Sequence, residues 1–251
     1  MVHFVGAGPG APDLITLRGA TLLQQADVII YAGSLVNDQL LENAKQGCEI
    51  YNSAHMTLEE VLDVVRKAEE CSKEVVRLHT GDPCLFGAIR EQMDALREMG
   101  IAYDDTPGVS SFCAAAAALG AEYTLPGVSQ SVIITRMEGR TPVPERERLE
   151  VLAQHGTSMV LFLSAGMTQR VQDALLAGAY TADTPAAIVY KASWEDEKTV
   201  RCTVGTLAQA AQENGISKTA LLLIGDFLGE GYNRSLLYHP SFETEFRKAS
   251  K

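Results

Sequence analysis

Short apolar or β-branched runs alternate with longer stretches of helical period through the first half of the chain, and that alternation limits it to an α/β protein with a largely parallel sheet. The runs are VHFVGA, DVIIYA, EIYNS, EVVRLHTG and the weaker AYDDTPG. Between them the periodicity predicts helices over Leu17–Ala26, Leu35–Ala44, Leu58–Cys71, Leu85–Met99 and Phe112–Leu119. Thr57 followed by Glu60 reads as a capping box at the start of the third.

The texture changes after Tyr123. Strand candidates SVIITRM, SMVLFLS, AAIVYKAS, TVRCTV and ALLLIGDF follow with only two or three helical segments among them, which predicts a second α/β unit of mixed strand direction. GAEYTLPGVSQ, with Pro126 and Gly127, marks the boundary, and GRTPVPERE reads as a surface loop. We therefore expect two domains, 1–120 and 121–251, with a mainly parallel five-stranded sheet in the first.

Charge and cysteine usage restrict function. With 21 Lys and Arg against 32 Asp and Glu, the net charge of −11 opposes general binding to nucleic acid or anionic membranes. A local basic pocket is still compatible with it. The five cysteines are widely spaced with no C-x-x-C pair, so they read as reduced thiols. No basic leader precedes an apolar segment and no apolar run nears 18 residues, so the expected location is the cytoplasm and no membrane span is expected. His3, His55, His79, His155 and His239 show no metal-ligand spacing, so no protein-bound metal is expected.

Gly6-Ala7-Gly8-Pro9-Gly10-Ala11 follows a strand and precedes a helix, as a dinucleotide-binding turn does. Two features argue against that use. The second strand ends in Tyr31 and Ala32 where a ribose-binding acid belongs, and Pro9 and Pro12 remove backbone donors that a pyrophosphate needs. A tight structural turn explains the loop better than a nicotinamide site.

The loop continues as VGAGPGAPDLITLRGATLLQQADVIIYAGSLV, and VVRLHTGDPCLFGAIREQ and TPGVSSFCAAAAALG follow. In order and spacing these blocks resemble the tetrapyrrole methylases, S-adenosylmethionine-dependent enzymes of cobalamin and sirohaem synthesis. The resemblance spans nearly the whole chain. ITRMEGRTPVPERERL, IVYKASWEDEKTVRCTV and YNRSLLYHPSFETEFRKA are similar to members that methylate carbon 11 of precorrin-4 or its cobalt complex, the tail and the intact GDPCLFGAI block favouring cobalt-precorrin-4. The resemblance implies a two-domain homodimer with the cofactor in the cleft between domains and the macrocycle in a trough of the N-terminal domain. S-adenosylhomocysteine would be the product, and cobalt would enter only within the substrate. A non-catalytic tetrapyrrole carrier is the competing reading, and the intact cofactor blocks oppose it.

Matched to the family's motifs, the cofactor contacts are Pro9, Thr80, Gly81, Asp82, Leu85, Ser110 and Ser111, joined by Leu163, Ala192, Thr219 and Ala220. Asp82 also reads as a helix cap. Methyl transfer needs orientation more than acid or base, so no catalytic residue is assigned. An acidic chain must gather cations locally for a polycarboxylate substrate. Arg136, Arg140, Arg146, Arg148, Lys191 and Arg201 are candidates, with Arg140 and Lys191 preferred because they lie inside motifs. Trp194 and Tyr190 suit packing against a flat ring or ordinary core packing. Asp104 and Asp105 read first as a solvated pair, with proton transfer as the sharper option, and His79 reads first as a hydrogen-bonded strand histidine.

Overall fold

The computed structural model describes residues 1–249, and ten strands form among the described residues, one on each run above. The chain divides into two units. One holds Met1–Ala115 together with Lys191–Glu197; the other holds Ala116–Tyr190 and the chain from Lys198 onward. The division therefore falls inside the fourth helix, and the short 191–197 excursion groups with the first unit. Two hydrogen bonds tie it there: Trp194 Nε1 donates to the Pro9 carbonyl at 3.0 Å and Ala11 N to Ser193 Oγ at 3.0 Å.

In the first unit β1 (Val2–Gly6), β2 (Val28–Tyr31), β3 (Glu49–Asn52), β4 (Val75–His79) and β5 (Tyr103–Thr106) form one parallel sheet in the order β3-β2-β4-β1-β5. Helices cover both faces, which is why β4 is buried throughout. α1 (Leu17–Gln25) lays Leu23 on Val5, Ile29, Val76 and Leu78 of one face. α2 (Leu58–Glu70) and α3 (Arg90–Glu98) lay Val61, Val65 and Leu96 on Phe4, Ile30 and Val75 of the other. The chain thus leaves β1 on one face and β4 on the opposite face, although the two strands are neighbours. Their following loops diverge, and the carboxyl ends of β1 and β4 become the switch point of the sheet, where an open α/β sheet receives ligands.

Two helix predictions are corrected here. The predicted helix Leu35–Ala44 is instead a 3₁₀ segment, Asp38–Asn43, capped by Asn37 Oδ1 accepting from Gln39 N. Asn37 Nδ2 is also bound to the Gly10 carbonyl, so the segment is pinned to the glycine loop rather than free to wind an α-helix. The helix predicted from Leu85 begins only at Arg90, because Phe86 and Ala88 adopt φ of 57° and 49° and Gly87 is pressed on the Pro83 carbonyl. The capping box is present as predicted, Thr57 Oγ1 accepting from Glu60 N and the Glu60 carboxylate from Thr57 N.

α4 (Ser111–Leu119) leads out of the first unit. The second unit's sheet contains β6 (Val132–Arg136), β7 (Ser158–Phe162), β8 (Pro185–Tyr190), β9 (Lys198–Thr203) and β10 (Ala220–Ile224), in the order β6-β7-β10-β8-β9. Only β6 and β7 are parallel, so the sheet is mixed. After the short α5 (Leu149–Leu152), α6 (Thr168–Leu176) and α7 (Leu207–Glu213) pack Val171, Leu175 and Leu207 on Leu161, Ile188 and Leu222. The register pairs Leu222 with Leu161, Ala220 with Tyr190 and Arg136 with Phe162, so one end of this sheet carries Leu163, Thr219, Ala220 and the entrance to the 191–197 segment.

Candidate active site

At the switch point of the first sheet, the loops after β1 and β4 bond to each other. Gly81 N donates to the Gly8 carbonyl at 2.8 Å, Gly8 N to the Gly81 carbonyl at 3.2 Å, and Ala7 N to the His79 carbonyl at 2.7 Å. The loop after β5 joins them through Asp82, whose carboxylate accepts from Cys84 N at 2.8 Å and Gly108 N at 3.1 Å. This closeness requires glycine. A Cβ on Gly108 would lie 2.1 Å from the Gly81 carbonyl oxygen, and one on Gly6 would lie 2.5 Å from the Gly108 Cα. Asp82 is therefore not a helix cap: it ties two loops together, and no helix starts until Arg90.

Several amides of these loops are used internally. Ala7, Gly8, Gly81, Cys84, Leu85 and Gly108 all donate within the protein, and Pro9, Pro83 and Pro107 have no N–H to offer. A phosphate cradle needs amides pointing at the ligand. The engaged amides and the prolines make these loops a poor match to one, which argues against a nicotinamide dinucleotide on the same ground as before.

The structure brings most of the motif residues to this place. Pro9 is buried in the first loop, Thr80 Oγ1 donates to the Leu35 carbonyl at 2.8 Å, and Leu85 N to the Asp82 carbonyl. The buried Ser110 and the adjoining Ser111 lie next to the Gly81 Cα. Ala192 is buried in the 191–197 segment, whose Trp194 fills the space beside Gly10 so closely that a Cβ there would sit 2.1 Å from the indole. Lys191 Nζ lies 2.6 Å from Asp196 and 5.2 Å from the Trp194 ring centroid, so its charge is engaged within the segment.

Leu163, Thr219 and Ala220 belong to the second unit, at the sheet end described above. Leu163 and Thr219 have φ of 52° and 54°, a region costly for side chains with a Cβ and a genuine outlier for a β-branched threonine. Leu163 is also 65% exposed, which core packing cannot explain. Arg140 is exposed in the loop after β6. Arg136 braces that loop by donating to the Thr141 and Pro142 carbonyls, and Arg201 donates to the Leu119 carbonyl at 2.8 Å.

The sequence reading missed Arg77. Its guanidinium is buried on the α2/α3 face of β4 and donates to Gln92 Oε1, the Ile30 carbonyl and Ser53 Oγ, all at 3.0 Å and all uncharged. Burial brings its pKa down to about 10, so it is still protonated at neutral pH. His79, two residues on and on the same face, is 4% exposed and its Nε2 has no partner. The hydrogen-bonded histidine expected there is corrected accordingly. Burial and the nearby Arg77 hold its pKa down to about 3, so it is neutral. Strand alternation was the available signal for both, since Arg77 and His79 sit at i and i+2 of a run that must be covered on both faces.

Other groups are quieter. Asp104 sits 2.7 Å from His3 Nδ1, while burial, then Asp82 and Asp104, raise the Asp105 pKa. The adjacent Asp82 carboxylate, with burial, pushes the Cys84 thiol up to about 11, so it offers no thiolate at neutral pH. Among the described residues no group of His, Cys, Asp and Glu is arranged to hold a metal, and no helix is long and apolar enough to cross a membrane.

Comparison with known proteins matches this arrangement to one family. A cobalt-precorrin-4 C(11)-methyltransferase of Methanocaldococcus jannaschii is 54% identical over 251 residues, covering 100% of this chain and 97% of the relative. A precorrin-4 C(11)-methyltransferase of Pseudomonas aeruginosa is 42% identical over 247 residues, covering 98% of each. The solved structure of a cobalamin biosynthetic enzyme, a cobalt precorrin-4 methyltransferase, superposes with a TM-score of 0.89 at 48% identity, covering 91% of this chain and 96% of the other. A uroporphyrin-III C-methyltransferase from Thermus thermophilus, complexed with S-adenosylhomocysteine, gives 0.77 at 27% identity, covering 90% and 98%. Residues 1–208 match the family of the tetrapyrrole (corrin/porphyrin) methylases, and this chain belongs to it.

Proposed function

We propose that this protein transfers the methyl group of S-adenosylmethionine to carbon 11 of cobalt-precorrin-4, giving cobalt-precorrin-5A in the anaerobic route to cobalamin. The observation that carries the reading is end-to-end identity of 54% with a relative bearing that activity, against 42% for one acting on precorrin-4. The cofactor supplies an electrophilic methyl group on a sulfonium. The chain's own part is to hold and orient, since an in-line approach of a ring carbon needs alignment more than proton transfer.

Pro9, Thr80, Gly81, Asp82, Leu85, Ser110, Ser111 and Ala192 would hold the cofactor in the first unit. Leu163, Thr219 and Ala220 would hold it from the second, and the left-handed backbone of Leu163 and Thr219 supports the reading, because strain of this kind persists where function maintains it. Asp82 acts through the loops it joins, as a positioning residue. Arg140 and Lys191 remain proposed substrate contacts, and in this chain Lys191 would first have to leave Asp196. We further propose a cytoplasmic homodimer.

Transfer of a labelled methyl group to cobalt-precorrin-4, precorrin-4 and uroporphyrinogen III, run anaerobically in parallel, tests this. Label at carbon 11 of the cobalt-precorrin-4 product is expected. Label only in another acceptor would overturn the substrate, and cofactor binding without transfer to any of the three would favour a carrier.

A further inference from the structure

A cavity of about 300 Å³ opens on the α2/α3 face of the first sheet, lined by Arg77, His79, Thr80, Leu85, Phe86 and Glu91 among others. Its floor has an unusual charge balance. Arg77 keeps a full positive charge out of water, and its three side-chain hydrogen bonds all go to neutral acceptors. A guanidinium has five N–H donors, so two remain for a further acceptor. His79 lines the same cavity with an unpartnered, buried Nε2. Glu91 is the one carboxylate among the lining residues; it is exposed and forms no ion pair with Arg77.

A buried cation beside an unsatisfied imidazole nitrogen is costly unless something completes it. An acceptor bearing negative charge does both at once, by pairing with the guanidinium and taking a hydrogen bond from Nε2–H. The loop above the cavity is held in place by left-handed Phe86 and Ala88 and by Gly87 packed on the Pro83 carbonyl, so the opening is built rather than incidental.

We infer that this cavity seats a carboxylate arm of the tetrapyrrole substrate, held by Arg77 and His79, which would thereby set how the macrocycle is turned in its trough. The inference rests on the methyltransferase reading above. A carboxylate is also present on the cofactor's amino-acid end, and the experiment separates the two sources. With selectively ¹⁵N-labelled histidine, the His79 resonances are followed on adding uroporphyrin III, a diamagnetic polycarboxylate, or S-adenosylhomocysteine. Steady-state kinetics with cobalt-precorrin-4 are measured for the wild type, His79→Phe and His79→Asn.

The expected result is a shift of His79 Nε2, and a rise in its pKa, with uroporphyrin III and not with S-adenosylhomocysteine. His79→Phe should raise KM about tenfold, as for a lost hydrogen bond to a charged group, with a smaller effect on kcat. His79→Asn, which retains a donor, should recover part of that rise. Unchanged S-adenosylhomocysteine affinity in both variants establishes that they fold. A His79 shift with S-adenosylhomocysteine alone, or a KM unmoved by His79→Phe, overturns the inference. Wild-type transfer to cobalt-precorrin-4 is run on the same preparation: its presence with a silent His79 overturns the inference alone, and its absence overturns the parent reading as well.

Discussion

The two sheets end in loops built by opposite devices. At the carboxyl edge of the first, glycines let three loops come within contact distance, and hydrogen bonds between Gly8, Gly81, Asp82 and Gly108 join them. At the corresponding end of the second, two residues that carry side chains, Leu163 and Thr219, are held in left-handed backbone. The interiors differ as well. In the second unit the buried Ser158, Ser164 and Tyr180 side chains are all hydrogen-bonded, whereas the first buries an unpartnered imidazole nitrogen beside an unneutralised guanidinium. Stability and site geometry therefore coincide in the glycine loops and conflict in the buried charges and the strained turns.

Acid should expose that difference most strongly. In the unfolded chain His79 takes up a proton near the ordinary histidine value of 6.5, while in the folded protein it resists doing so until about 3. Stability is thus fully present above pH 6.5 and is lost as the pH falls from 6.5 towards 3. At about 1.36 kcal/mol per unit, the loss approaches an order of 5 kcal/mol at the lower limit. Hydrogen exchange at about pH 4 and about pH 7, either side of the histidine transition, should show the first sheet losing protection ahead of the second. His79→Phe should flatten the difference, and equal losses in the two sheets would break the comparison.

Next in size is Gly108→Ala. The new methyl meets the Gly81 carbonyl oxygen at 2.1 Å, and that atom belongs to a backbone already fixed by bonds to Gly8. We expect a loss of about 3 kcal/mol, the upper range for overpacking, in denaturant melts, with S-adenosylhomocysteine binding lost in parallel. Asp82→Asn should cost less, about 1–2 kcal/mol, because one of the two amide acceptors survives. Its effect should be read in cofactor affinity, since the loops after β4 and β5 would separate.

What the sequence disclosed follows the same division. The ten strands are marked by apolar runs, and the first loops by glycine and proline, residues whose backbone consequences can be read directly. Phe86 and Ala88 carry no such mark, so a helix expected from Leu85 starts only at Arg90. Leu163 closes an apolar run that by itself gives it no mark; the family motif singled it out as a cofactor contact, and the structure shows it turned out to solvent. The cationic candidates were taken from the motif blocks, where Arg136 and Arg201 are occupied with backbone carbonyls, while Arg77, in a buried strand of the first sheet, was not among them. A charged residue within a run that must be covered on both faces was the informative exception.

The smallest expected effect has the opposite sign. Leu163→Gly removes a side chain that is mostly in solvent, so little burial is lost, and it relieves a left-handed conformation that costs a side-chain-bearing residue about 1–2 kcal/mol. The added backbone entropy of the unfolded glycine returns roughly 0.5–1 kcal/mol of that. A net gain of about 0.5 kcal/mol, the difference of those two effects, should appear as a small rise in the denaturation midpoint, while S-adenosylhomocysteine binds more weakly. Gain of stability with loss of affinity would mean that the second sheet maintains strain for its ligand, in contrast to the glycine loops, where any side chain costs both. If affinity stayed unchanged, the strain at Leu163 would belong to the local turn, and the proposed contact there would be wrong.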